Sequence, residues 1–118
     1  MTLAEFAPRA CDCDFCTRHR AAWVSDPNGA LHLHHAGEHA RRYHQGSAQA
    51  DFLFCGSCGV LVAVTCICDG GVLRGAVNRN GFDERQLLGA DVVASPQRLP
   101  PEAKLSRWSE LWTPTIAP

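Results

Sequence analysis

Two short cysteine clusters carry the residue types most able to do chemistry. Cys11-Asp12-Cys13-Asp14-Phe15-Cys16 is a C-x-C-x-x-C, and Phe54-Cys55-Gly56-Ser57-Cys58-Gly59 holds a C-x-x-C on a glycine-containing turn. Thiolates two or three residues apart can converge on one soft metal ion. A hairpin folding back through Cys-x-x-Cys-Gly forms the tight knuckle that zinc sites use. The glycines supply backbone conformations that a Cβ would forbid. Zinc is therefore the expected cofactor, with Cys11, Cys13, Cys16, Cys55 and Cys58 as candidate ligands. Three protein thiolates with an open fourth position suit a catalytic centre, and four suit a structural one. The spacing permits both: an open triad of Cys11, Cys13 and Cys16, or a closed site that joins one or two of them to Cys55 and Cys58.

Other groups lie beside these clusters. Arg18 and Arg20 could lower a thiolate pKa or hold a substrate carboxylate, and otherwise belong to a solvated charged turn. His19 is a candidate acid or base. Cys66 and Cys68 sit two apart on an expected strand, so both thiols face one side, as further ligands or as small buried apolar groups. His32, His34 and His35 form a cluster, but His32 and His34 fall on the polar face of a strand. No glycine-rich phosphate loop, Ser-His-Asp order or H-E-x-x-H helix is present.

These residues must be positioned by a chain of 118 residues, which fits one domain with a core of its own. Net charge is −1, with ten Arg and one Lys, so no basic surplus drives nucleic-acid binding. No run is long enough to span a bilayer, and residues 1–10 do not read as a signal peptide. The seven cysteines are therefore expected in a reducing, cytoplasmic setting rather than in a disulfide framework. Short strands are expected at 21–25, 30–34, 41–44, 51–55, 60–68 and 72–78, with turns at Asp26-Pro27-Asn28-Gly29 and Asp69-Gly70-Gly71. Together they predict a mainly β, antiparallel core. Past the prolines near residue 100, Leu105, Trp108, Leu111 and Trp112 recur at helical spacing, which predicts a short docked helix over 102–112.

The stretch Cys11-Asp12-Cys13-Asp14-Phe15-Cys16-Thr17-Arg18-His19, then Ala22-Trp23, resembles a signature C-x-C-S-x-C-R-K/R-x-G-x-x-W. Tyr43-His44-Gln45-Gly46 resembles a Y-x-x-G. Ala50-Asp51-Phe52-Leu53-Phe54-Cys55-Gly56-Ser57-Cys58-Gly59-Val60 resembles A-x-F-x-F-C-x-x-C-G-x-x, and Val77-Asn78 resembles a later V-N. These motifs, in this order over roughly residues 10–80, resemble the glutathione-dependent formaldehyde-activating enzyme / centromere protein V family. The resemblance implies a β-tent of small antiparallel sheets meeting at an angle. It also implies a catalytic zinc at the C-x-C-x-x-C and a structural zinc shared between the C-x-x-C and an earlier C-x-C.

That earlier motif, G-x-C-H-C-G, has no counterpart in residues 1–10, and Asp14 replaces the family's serine. The chain resembles an N-terminally shortened member. Met1 is a late start, or the two sites merge into one from the five clustered cysteines, or Cys66 and Cys68 stand in for the missing pair. The merged arrangement predicts at most one well-occupied zinc. The activity implied is carbon–sulfur lyase chemistry on a small-molecule partner, an adduct of glutathione or another thiol with a small aldehyde. Arg18, Arg20, Arg41 or Arg42 would anchor its carboxylates. The alternative is a non-catalytic zinc-stabilised β module for protein interaction. Neither nucleic acid nor membrane is an expected partner, and the oligomeric state is open.

Overall fold

A computed structural model describes residues 2–34, 40–44 and 48–117. His35, and Gln45-Gly46 of the Y-x-x-G stretch, lie outside them. In chain order the elements are β1 (Arg9–Cys11), α1 (Asp14–His19), β2 (Ala22–Val24), β3 (Leu31–His32), β4 (Ala40–Tyr43), β5 (Asp51–Cys55), β6 (Leu61–Ile67), β7 (Leu73–Asn78), β8 (Val92–Ala94), α2 (Pro101–Leu111) and β9 (Thr113–Ile116). The protein is mainly β, with a short C-terminal helix.

The strands make one connected sheet in the order β4-β5-β6-β7-β2-β1-β8, and β9 joins β7 to β3. The antiparallel pairing expected from the sequence holds for most strand pairs but not for all. β1 pairs β8 in parallel, and β3 pairs β9 in parallel. Both pairs join segments far apart in the chain, which is what parallel pairing requires and what local turn signals cannot reveal. β7 is the branch point. One of its edges is taken by β6; the other is divided between β2 at Val77 and Asn78 and β9 at Arg74 and Gly75. The crowding there explains Gly75: a Cβ would lie 2.9 Å from the Val64 carbonyl and 3.0 Å from Thr115 Oγ1.

Asn78 ties three strands together from inside. Its Nδ2 donates to the Leu61 carbonyl at 2.8 Å, and its Oδ1 accepts from the Ala22 amide at 3.3 Å, with the residue 2% exposed. A buried amide so paired meets its hydrogen-bonding demand without water.

The two turns expected from Asp, Asn and Gly form as read. The Gly29 amide reaches the Asp26 carbonyl at 3.0 Å, and the Gly71 amide reaches the Cys68 carbonyl at 3.0 Å. Residues 31–34 alternate as expected, with Leu31 and Leu33 half-buried and His32 and His34 exposed. α2 starts on Pro101, whose fixed φ suits a first helical position. It docks through Leu105, Trp108 and Leu111, and Trp112 is buried just past its end. The two indoles stack with centroids 4.7 Å apart.

Candidate metal centre

The first cysteine cluster straddles a strand-to-helix junction. β1 ends at Cys11, and α1 begins one residue after Cys13. Cys13 caps that helix: its sulfur accepts the Cys16 amide at 3.4 Å, and its carbonyl accepts the Thr17 amide at 2.9 Å. Asp14 in the first turn and Arg18 and His19 in the last suit the helix dipole, and Arg18 Nε donates to Asp14 Oδ2 at 3.0 Å. Arg20 ends the helix in the left-handed region at φ 50°, its amide returning to the Cys16 and Thr17 carbonyls. Phe15 pins the turn to the sheet, with ring centroids 4.6 Å from Phe52 and 5.1 Å from Tyr43.

These constraints bring the Cys11, Cys13 and Cys16 sulfurs within 4.8 Å of one another. Thiolates around tetrahedral zinc stand roughly 3.8 Å apart, so the three need close by no more than about 1 Å to share an ion. The donor set fits a soft divalent metal, and among the described residues no carboxylate or imidazole joins it. The neighbouring carboxylates are engaged elsewhere. Asp12 accepts from Ser95 Oγ at 2.5 Å and Gln97 Nε2 at 3.1 Å, while its amide donates to the Ala94 carbonyl at 3.0 Å. Asp14 is exposed and paired with Arg18.

The cluster favours a single thiolate. The Cys16 thiol, donating to the Cys11 sulfur, brings Cys11 down to about 6 against its burial, helped by the Cys13 amide and thiol. Cys16 is correspondingly raised, by holding that bond first and by burial second. Cys13 is raised chiefly by burial. A bound cation would replace the shared protons.

The three cysteines line a cavity of about 350 Å³. Trp108 and Trp112 form an apolar part of its wall, and Gln97 a polar one. Arg9, Lys104 and Arg107 bring positive charge to it. Among the described residues none of these three cations is ion-paired to a carboxylate; Arg9 donates to Ser25 Oγ at 2.5 Å.

Arg18 and Arg20, expected beside the substrate, are exposed and do not line this cavity. They point from the far end of α1, whose buried side carries Cys16. His19 is also outside it, 4.7 Å from the Phe15 ring and 5.5 Å from the Phe54 ring. Arg42 pairs with Asp51 on the opposite face of the sheet. The cavity cations were missed because they come from outside the cysteine motifs. Lys104 and Arg107 flank the apolar stripe of α2, and that position was the available signal.

Cys55 and Cys58 stand apart from the triad. Strand alternation on β5 turns Phe52 and Phe54 toward α1. Cys55 falls on the other face with Leu53 and Asp51, beside a second cavity of about 810 Å³. Cys58 is exposed on the turn, and Gly59 closes it at φ 78°. The amides of Cys58 and Ser57 and the Cys58 thiol lower the Cys55 pKa. Cys66 and Cys68 are buried near α2: Ser109 lies against the Cys68 thiol, and Cys66 is pushed up to about 12, first by burial.

Fold and site thus define a mainly β protein with a three-cysteine group that could hold a metal ion. No helix among the described residues is long and apolar enough to cross a membrane. Comparisons with protein-family models, curated proteins and solved structures found no match.

Proposed function

We propose that this chain is a zinc-dependent carbon–sulfur lyase acting on adducts of glutathione, or a similar acidic thiol, with small aldehydes. One observation carries the reading: three converging thiols open onto a cavity with an indole wall and with cations that no carboxylate pairs among the described residues. The motif resemblance to formaldehyde-activating enzymes supports it, and so does the branching of the sheet at β7, which we take as the corner of a β-tent. The reaction joins a thiol to an aldehyde carbonyl, forming one C–S bond while the thiol proton passes to the carbonyl oxygen, or runs in reverse.

Zinc, when bound, supplies Lewis acidity toward a thiol or a carbonyl. The protein supplies the rest. Cys11, Cys13 and Cys16 would hold the ion. Arg9, Lys104 and Arg107 hold substrate carboxylates by charge-assisted hydrogen bonds, the role first expected of Arg18 and Arg20. Trp108 and Trp112 shield the reacting atoms from water on one wall. The alternative of a closed, non-catalytic zinc module needs a fourth protein ligand, and the engagement of Asp12 and Asp14 elsewhere supports the open reading. Seven free thiols support a cytoplasmic setting.

The test is exchange of formaldehyde with glutathione, followed by NMR, on protein of known zinc content. Acceleration that tracks zinc and vanishes in Cys16→Ser is expected. A fully zinc-loaded protein with no acceleration would overturn the reading.

A further inference from the structure

We infer that Ser25 is a positioning residue for the cationic end of the triad cavity: its hydroxyl fixes the Arg9 guanidinium beside Arg107, in place to receive a substrate carboxylate. This role rests on the reading of the cavity as a site for an acidic thiol. Arg9 pairs with Trp23 across β1 and β2, and both line the cavity. Ser25 follows Trp23 by two residues, so its side chain returns to the same face. Arg9 Nη2 donates to Ser25 Oγ at 2.5 Å, and Ser25 Oγ donates to the Leu111 carbonyl at 2.6 Å. The direction of this relay is forced. A guanidinium has no acceptor and a carbonyl has no donor, so the hydroxyl proton goes to Leu111 and the oxygen lone pairs face Arg9. Leu111 is the last residue of α2, where carbonyls lack intrahelical partners and carry partial negative charge.

Ser25 is itself held on both sides. Val24 before it pairs with Val77 of β7, and the Asp26 amide after it donates to the buried Thr113 Oγ1 at 2.8 Å. Arg9 needs such an anchor. It shares the cavity with Arg107 and Lys104, and like charges repel, so a long, rotatable side chain without a fixed acceptor would turn out toward solvent. Ser25 occupies one of the five N–H donors of the guanidinium and leaves the rest for a ligand. A group already in place loses less freedom on binding, so more of the contact appears as affinity. An uncharged thiol makes no such contact. Ser25 lies behind Arg9, outside the cavity wall, and therefore sets the preference for acidic over uncharged thiols through Arg9 alone.

The experiment is calorimetric titration of the zinc-loaded full chain with glutathione and with 2-mercaptoethanol, compared with Ser25→Ala and Ser25→Thr. Ser25→Ala is expected to keep its zinc and to bind glutathione about tenfold more weakly, with the ratio of the two thiol affinities falling by the same factor. Ser25→Thr, which retains the hydroxyl, is expected to restore most of that ratio. Equal losses for both thiols, no loss for either, or a threonine variant no better than alanine would overturn the proposal. Should Ser25→Ala fail to fold, NMR of the unmodified, ligand-free chain decides. A fixed guanidinium gives separately resolved Arg9 Nη signals, assigned with Arg9→Lys, and a freely rotating one would overturn the role. The titration requires no turnover. Glutathione that binds with the expected split but is not exchanged with formaldehyde would end the lyase reading and leave Ser25 its role. Formaldehyde exchange with no preference for glutathione over the uncharged thiol would do the reverse.

Discussion

Arg9 of β1 and Arg107 of α2 line the same cavity, and among the described residues neither is ion-paired to a carboxylate. Burial and then the charge of Arg107 lower the pKa of Arg9. Like charges held together in a cleft are repulsive until an anion separates them. Charge-assisted hydrogen bonds contribute about 1.5–3 kcal/mol each. Arg107→Ala should therefore raise KM for a carboxylated thiol about tenfold to a hundredfold, and leave KM for an uncharged thiol such as 2-mercaptoethanol within about twofold. Equal losses for both thiols would show that Arg107 acts on folding rather than on the anion.

Cys16 is the most buried of the triad, 2% exposed, and packs in the core with Trp23 and Phe52. Its loss should remove both a ligand and a packing group. Cys16→Ser should weaken zinc binding by orders of magnitude and lower Tm by many degrees. Cys16→Ala, which removes the ligand without burying a hydroxyl, should lose zinc equally but unfold at a higher temperature than the serine variant. Zinc titration against a chromophoric chelator, with calorimetry, checks both. Unchanged zinc affinity in either variant would exclude Cys16 as a ligand.

Much of this was legible in the sequence because the signals were local. Alternation at 31–34, the Asp-Gly turns, the hairpin around Cys55 and Cys58 and the helical stripe at 105–112 each rest on contacts within a few residues. Their cause is backbone preference or one-sided burial. What stayed hidden was non-local. β1 and β8 are three residues each and become strands only by pairing with each other and with β2. α1 is six residues, too short for a periodic signal, and is fixed by the Cys13 cap and by Phe15. The triad was visible as a spacing. The cavity was not, because Arg9 and α2 meet the triad only through the tertiary fold.

Asn78 illustrates the same boundary. As half of a Val-Asn pair it carried only a resemblance, whereas its side chain joins β2, β6 and β7 inside the sheet. Asn78→Leu would leave the Leu61 carbonyl and the Ala22 amide buried with fewer partners. The expected cost is about 2–4 kcal/mol, the sum of two unmet groups. Chemical denaturation should show it as a lower midpoint at unchanged slope. Asn78→Asp should fare no better at neutral pH, since a carboxylate cannot donate to the Leu61 carbonyl. A loss below about 0.5 kcal/mol in Asn78→Leu would mean that water or a backbone shift satisfies both groups.

Cys66 gives the fold a dependence on alkaline pH. Its thiol is pushed from 9.0 up to about 12, by burial first and then by the proximity of Cys68 and Asp51. Between those values the unfolded chain releases a proton that the folded chain keeps. The unfolded state therefore binds fewer protons, and stability falls as pH rises from about 9 toward 12. Below about 9 both states hold the proton and the group contributes no slope. The maximal slope is about 1.4 kcal/mol per pH unit from this one thiol. Cys66→Val, similar in volume and without the ionisable group, should reduce the loss of stability between pH 8 and pH 10.5 relative to the unmodified chain. At neutral pH the same thiol should react with iodoacetamide more slowly than the exposed Cys58. Urea midpoints at the two pH values, compared between the proteins, decide it: parallel pH profiles would remove Cys66 from the alkaline transition.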